Sequence, residues 1–208
     1  AMRFLPALLL GLLVASPARA GDLAVSLKTL AGQPIADAVI MVTPAAGKGA
    51  VRVGTGYRMA QRDLTFQPFV LVAPVGAEVA FPNLDPVRHH VYSFSKAKPF
   101  ELKLYGRDET RHVKFEKPGV IAVGCNIHDA MSAYIRVVDT PYAVKTGANG
   151  EAVISGLPAG DATILIWHPY LKTARNEVVR NAVIPAVGAA RQALVLDLRK
   201  PAGQHDHS

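Results

Sequence analysis

The stretch Gly124-Cys125-Asn126-Ile127-His128-Asp129-Ala130-Met131 holds the only cysteine of the chain, followed by a histidine and a methionine at successive three-residue steps. Two more imidazoles stand together upstream in Arg88-His89-His90-Val91. A thiolate, two imidazoles and a thioether make up the donor set of a mononuclear copper site used for electron transfer. The sulfur donors are soft and favour Cu(I), whereas imidazole accepts either oxidation state. Three strong donors near a trigonal plane with a weak fourth suit neither state fully, so little has to move when an electron arrives. Taken singly, each residue has a plainer reading: Cys125 as a buried apolar residue, His128 as a surface loop residue, Met131 as core filler. Their spacing and their setting favour the metal site.

That setting is read from the flanks. Phe115-Glu116-Lys117-Pro118-Gly119 predicts a turn, residues 120–123 a strand ending at Cys125, and residues 133–138 the next strand. Three candidate donors then share a loop between two strands, where a rigid β-scaffold can hold them. Adjacent residues of a strand point to opposite faces, so only one of His89 and His90 can face the site.

The elements that must position these donors are predicted to be strands throughout. Residues 22–27 alternate, 38–42 read as a buried strand, and 69–72 and 78–81 flank the turn at Pro74-Val75-Gly76. Further strands are predicted at 90–94, 100–104, 112–115, 152–155 and 163–169, with polar or Gly-Pro turns between many of them. Residues 45–56, rich in Gly and Ala, read as a loop or weak strand. No stretch from 21 to 140 keeps a helical period. The prediction is an all-β chain built as a Greek-key β-sandwich.

Arg3, the apolar run 5–14 and Ala18-Arg19-Ala20 together read as a cleavable signal peptide at residues 1–20. The run is too short to span a bilayer. The expected location is the periplasm, with no membrane anchor after cleavage. Arg3 and Arg19 lie in that leader, so its removal lowers the net charge from +7 to +5. Basic charge points to an anionic partner, and no nucleic-acid motif accompanies it. The end of the chain, 201–208, with Gln204-His205-Asp206-His207, reads as a disordered tail. His112 reads as a solvated strand residue, and Trp167 and His168 as packed core. The chain shows no Ser-His-Asp order, P-loop, dinucleotide fingerprint or zincin helix, and it is not read as an enzyme.

From about Asp63 to Asp139 the sequence resembles the cupredoxins, the blue copper proteins, and within them the amicyanin-like members. The likeness is carried by Val79-Ala80-Phe81-Pro82-Asn83-Leu84-Asp85, by Phe115 to Gly119 and by the Cys-x2-His-x2-Met spacing. His89-His90-Val91-Tyr92-Ser93-Phe94-Ser95 is also similar to bacterial cupredoxin-type proteins labelled methylamine utilisation proteins. The resemblance implies one copper per chain cycling between Cu(II) and Cu(I), with His89, Cys125 and His128 as equatorial ligands and Met131 as the axial one. Position favours His89, with His90 as the alternative. Two departures stand out. His90 replaces the Asn or Ser usual after the first ligand, and Asp129 places an anion beside His128, which favours Cu(II). Ala31-Gly32-Gln33-Pro34-Ile35-Ala36-Asp37-Ala38-Val39 and the segment after Asp139 resemble instead the transthyretin-like, carboxypeptidase-regulatory-like β-sandwich. This implies a sandwich made of residues 21–58 plus 140–200, with the cupredoxin domain, 59–139, inserted into it. A single cupredoxin followed by an unrelated tail domain is the other arrangement.

Two functions follow from the resemblance. One is a periplasmic carrier of single electrons; the other is a copper-binding, delivery or adaptor protein without a carrier role. The carrier reading implies a redox partner with an acidic patch. It would dock at a His128 edge bordered by Asp129, Ala130 and Ala133, with a basic rim of Arg88, Lys96 and Lys98; Lys103 is a further basic group near the proposed site.

Overall fold

The computed structural model describes residues 20–200. The signal peptide expected at residues 1–20 (all but Ala20) and the expected tail at 201–208 lie outside the described residues. Among the described residues the chain is all-β, with one 3-10 turn at Ala174–Asn176. It opens with β1 (Ala20–Thr29) and β2 (Val39–Pro44). Next come β3 (Ala60–Arg62), β4 (Thr65–Gln67), β5 (Val70–Pro74), β6 (Glu78–Pro82), β7 (His89–Ser93), β8 (Phe100–Tyr105), β9 (Thr110–Lys114), β10 (Gly119–Cys125) and β11 (Ser132–Val138). The chain closes with β12 (Ala143–Lys145), β13 (Glu151–Pro158), β14 (Gly160–Trp167), β15 (Glu177–Ile184) and β16 (Ala189–Leu196). Among the described residues no helix is long and apolar enough to cross a membrane.

Strands β5, β11, β10, β7 and β8 form one sheet in that order, with β11 and β5 parallel. Opposite it stand the pairs β3–β4 and β6–β9, joined by the bridges Arg58–Ala80 and Gln61–Asn83. The period-2 alternation of strands fixes what fills the space between. Ile121, Val123 and Cys125 of β10 and Ala133, Ile135 and Val137 of β11 share one buried core with Val79 and Phe81 of β6. Each Val, Ile and Phe side chain among them contributes about 1.5–3 kcal/mol by leaving water.

The first two and the last five strands build a second pair of sheets, ordered β13–β1–β16 and β12–β2–β14–β15. Leu23, Val25 and Leu27 of β1 meet Ile40 and Val42 of β2 and Ile164 and Ile166 of β14 in a core of their own. The residues between them on β2 and β14 are apolar too. Val39, Met41, Leu165 and Trp167 pack against Val70, Tyr134 and Val138 of the first unit. The middle sheet is therefore buried on both faces, which is why residues 38–42 read as a continuous apolar run rather than an alternating one. Tyr134 meets Trp167 edge-on at 5.9 Å and Phe69 at 5.6 Å.

Candidate metal centre

His89, Val91 and Ser93 are the inward positions of β7, while His90 and Tyr92 face out. On the neighbouring strand Cys125 ends β10 and stands opposite Val91, two residues from His89 on the same face. Beyond Cys125 the chain turns. The Asn126 amide donates to the His90 carbonyl (3.0 Å) and the Met131 amide to the His128 carbonyl (2.9 Å), which folds the loop back over the end of the sheet. His128 thereby returns to Cys125. His89 Nδ1 lies 3.7 Å from Cys125 Sγ, and His128 Nδ1 lies 3.6 Å from it. The two imidazole rings are 5.0 Å apart between centroids. Donor atoms of all three residues fall within 4.8 Å of one another, and among the described residues no other such group of His, Cys, Asp or Glu is found.

These separations fit a common ion. With metal–nitrogen bonds of about 2.0 Å and metal–sulfur bonds of about 2.3 Å, donors 3.6–3.7 Å apart subtend about 110–120° at the metal. Met131 is buried in the same core cluster as Cys125 and lines the same shallow surface depression of about 560 Å³, together with Tyr92, Phe94 and Asp129. The exposures are graded: His89 is 0%, Met131 2% and Cys125 3% exposed, while His128 is half-buried. His90 does not join the cluster. Its Nε2 lies 2.8 Å from Glu101 on the outer face of β8.

Sequence reasoning gave no role to the groups behind His89. Asp85, 4% exposed, lies between the buried Asn83 and His89, with its Oδ2 2.8 Å from His89 Nε2. The same carboxylate accepts the backbone amides of Asp63 (2.6 Å) and Leu64 (3.2 Å). Burial opposes its ionisation, but the hydrogen bonds from His89, Leu64 and Asp63 outweigh that and hold the carboxyl below the ordinary carboxylate range. Tyr105, paired with His89 across β7 and β8, is fully buried and donates its hydroxyl to Gln61 at 2.5 Å. Burial, and then the nearby charge of Cys125, push that hydroxyl's pKa up. Asp85 is legible only as the end of the Val79–Asp85 stretch, four residues before His89, and nothing marks Gln61 or Tyr105.

Other expected residues fall elsewhere. His112 is exposed on β9, Trp167 is buried where the two units meet, and His168 is buried against Tyr170. Three residues of the expected docking face are corrected. Ala133 is 1% exposed, because 133, 135 and 137 are the inward positions of β11. Lys96 and Lys98 flank Ala97, whose Cβ sits 2.9 Å from where a Cβ on Gly119 would be. Gly119 opens β10 and Cys125 ends it, so the two lysines lie toward the end of that strand away from the thiol. Arg88 and Lys103 remain at the ligand end. Arg88 donates to the Leu104 carbonyl (3.3 Å), and Lys103 sits on β8 between Leu102 and Tyr105, the partners of Val91 and His89.

No protein-family model matches the chain, and no curated protein does. Several solved structures are similar to part of it. The copper-containing nitrite reductase from Thermus scotoductus SA-01 is 28% identical over 47% of this chain, which spans 25% of the reductase, at a TM-score of 0.40. A purple cupredoxin from Nitrosopumilus maritimus is 21% identical, with 40% of this chain covering 100% of that one, at a TM-score of 0.37. Amicyanin from Paracoccus versutus is 14% identical, with 47% of this chain covering 98% of that one, at a TM-score of 0.38.

Proposed function

We propose that this protein is an exported type 1 copper protein that carries single electrons between redox partners. One copper per chain would be held by His89, Cys125 and His128, with Met131 as a weak fourth donor. The observation that carries this is the approach of two imidazole Nδ1 atoms to one thiol sulfur at 3.7 and 3.6 Å, with His89 and Cys125 on adjacent strands of one sheet and His128 on the loop that follows. Copper, when bound, supplies the one-electron couple. The chain's own residues hold the donors in nearly fixed positions and keep water from His89, Cys125 and Met131, while half-buried His128 offers the edge through which an electron passes. Delivery proteins need exchange-ready, exposed donors, and the burial of three of these four favours the carrier reading over metal delivery.

The same proposal takes residues 59–139 as a cupredoxin domain inserted into a transthyretin-like sandwich of residues 21–58 plus 140–200. The separate cores of the two units support it. Export rests on the leader, and the mass of the secreted protein tests whether it begins at Gly21.

The function is tested by the visible spectrum of the copper-loaded protein. A thiolate bound to Cu(II) in a trigonal site gives an intense charge-transfer band. One copper per chain and a strong band that vanishes in Cys125→Ser are expected. A colourless protein at saturating copper would remove the proposal.

A further inference from the structure

We infer that Asp85 is the positioning residue of the metal centre, holding His89 in the one tautomer that presents a bare Nδ1 to the metal. The inference rests on the reading above in which His89 is a ligand. An ionised carboxylate only accepts hydrogen bonds, so the 2.8 Å contact at Asp85 Oδ2 places the ring proton on His89 Nε2. The lone pair is then on Nδ1, the atom that faces Cys125 Sγ. Both partners are buried, His89 at 0% and Asp85 at 4% exposed, so water does not compete for the contact.

Asp85 is itself held from two sides. Its amide donates to Asn83 Oδ1 (2.9 Å), and Asn83 Nδ2 donates to the carbonyls of Val87 and Tyr105, which fastens the loop between β6 and β7 to the end of β8. On the other side stands the β3–β4 hairpin. Its two turn residues, Asp63 and Leu64, both adopt left-handed backbone angles (φ 53° and 55°). Non-glycine residues keep that conformation where the surroundings over-determine it. Here the turn directs two successive amides at one carboxylate. Oδ1 takes one amide; Oδ2 takes the other amide and the imidazole.

An anion hydrogen-bonded to the far side of a ligating imidazole fixes the ring's orientation and raises its basicity. A more basic imidazole favours the more highly charged ion, so Asp85 lowers the reduction potential. An amide in its place cannot satisfy all three donors. Asn at position 85 turns its NH₂ either toward the Asp63 amide, donor against donor, or toward His89 Nε2, which forces the proton onto Nδ1 and blocks the metal-binding atom.

The test starts with the full chain in its metal-free form, observed by ¹⁵N–¹H correlation of the imidazole nitrogens at neutral pH. A single Nε2–H tautomer at His89 is expected. An Nδ1–H tautomer, or rapid averaging of the two, overturns the inference with no variant needed. In Asp85→Asn the Nε2–H tautomer should be lost or mixed. Affinity for Co(II) and Cu(II), titrated separately, should fall about 10–100-fold, as it does when such outer partners are removed. Glu116→Gln, on the exposed turn before β10, should leave tautomer and affinity unchanged. An Asp85→Asn protein with the wild-type tautomer and affinity within about twofold of wild type sinks the inference. If wild type binds neither metal, the copper reading fails on its own, and the His89 tautomer still decides what Asp85 does.

Discussion

Arg136 of β11 reaches from one β-unit into the other, where its guanidinium stands 3.1 Å from Glu177 of β15 with both side chains almost out of water. The same guanidinium lies 5.8 Å from the centre of the Trp167 ring. Removing one member of a buried ion pair strands the other, and such losses run to about 3–5 kcal/mol. Exposed Arg175, 3.3 Å from Glu177, softens the loss. Arg136→Ala should therefore destabilise by about 3 kcal/mol, and Arg136→Met, which strands Glu177 equally but keeps the packing on Trp167, by slightly less. Urea unfolding measures both. The copper spectrum should not change, because Arg136 lies on the face of β11 away from Ile135 and Val137. Equal stability of all three proteins would mean the pair does not join the two units energetically.

The two adjacent histidines should separate cleanly. His89→Ala should abolish the copper band. His90→Ala should leave it intact, because His90 is paired with half-exposed Glu101 on the outer face. That surface pair contributes at most about 1 kcal/mol. Copper retained in His89→Ala and lost in His90→Ala would invert the assignment.

The strands that carry this parity are legible in the sequence. Alternation places Ile121, Val123 and Cys125 on one face, and adjacency alone says His89 and His90 must part. What is not legible is held by distant groups. The hairpin Ala60–Gln67 lacks the Asn-Gly or Asp-Gly signal of a tight turn, because its left-handed residues are fixed by a carboxylate 21 and 22 positions later. Strand β16 pairs in parallel with β1, at the other end of the chain, and no local turn announces it. Lys96 and Lys98 are close to His89 in sequence but not in space, because β7 carries the chain away from the ligand end before they occur.

Met131→Leu should keep copper bound and raise the reduction potential, since a weak donor to the oxidised ion is removed and the pocket becomes more apolar. Met131 is 2% exposed, and a Leu of similar volume should cost less than about 1.5 kcal/mol in folding. Voltammetry and denaturation report the two effects separately. A variant that folds but holds no copper would show that Met131 is a strong ligand of a different kind of site.

His168 should make stability fall in mild acid. Burial holds its pKa near 4, against 6.5 for a free imidazole, although Asp37 and the Ala36 backbone favour the charged form. Asp37 is already engaged by Lys145 at 2.5 Å, and His168 Nδ1 accepts the Tyr170 amide. The folded protein resists a proton that the unfolded chain takes up below pH 6.5. The contribution is therefore complete above pH 6.5, declines as pH falls, and is lost by about pH 4. The gap corresponds to about 3 kcal/mol. His168→Gln should flatten this part of a stability–pH curve measured by urea unfolding. A variant with the same slope as wild type would assign the slope to other groups.

The face through which an electron leaves should be small, apolar at its centre and basic at its rim. Around half-buried His128 the ligand end exposes Ile127 (48%), Val87 (41%) and Leu104 (40%). Arg88 and Lys103 stand at this end and are exposed, whereas Lys96 and Lys98 lie farther along the sheet, toward the Gly119 end of β10. Salt screens exposed charges within about 10 Å at 0.1 M, so only the nearer pair should steer an acidic partner into place. Such charges act on encounter more than on final affinity. The second-order rate of electron transfer to a partner with an acidic patch should fall as salt is added. Charge reversal at Arg88 and Lys103 should slow it strongly, and reversal at Lys96 and Lys98 only slightly, with the visible spectrum unchanged in every case. Stopped-flow rates from low to high ionic strength decide it. A flat rate would leave the apolar centre as the sole recognition element, and a larger effect at Lys96 and Lys98 would move the docking face to the far end of the sheet.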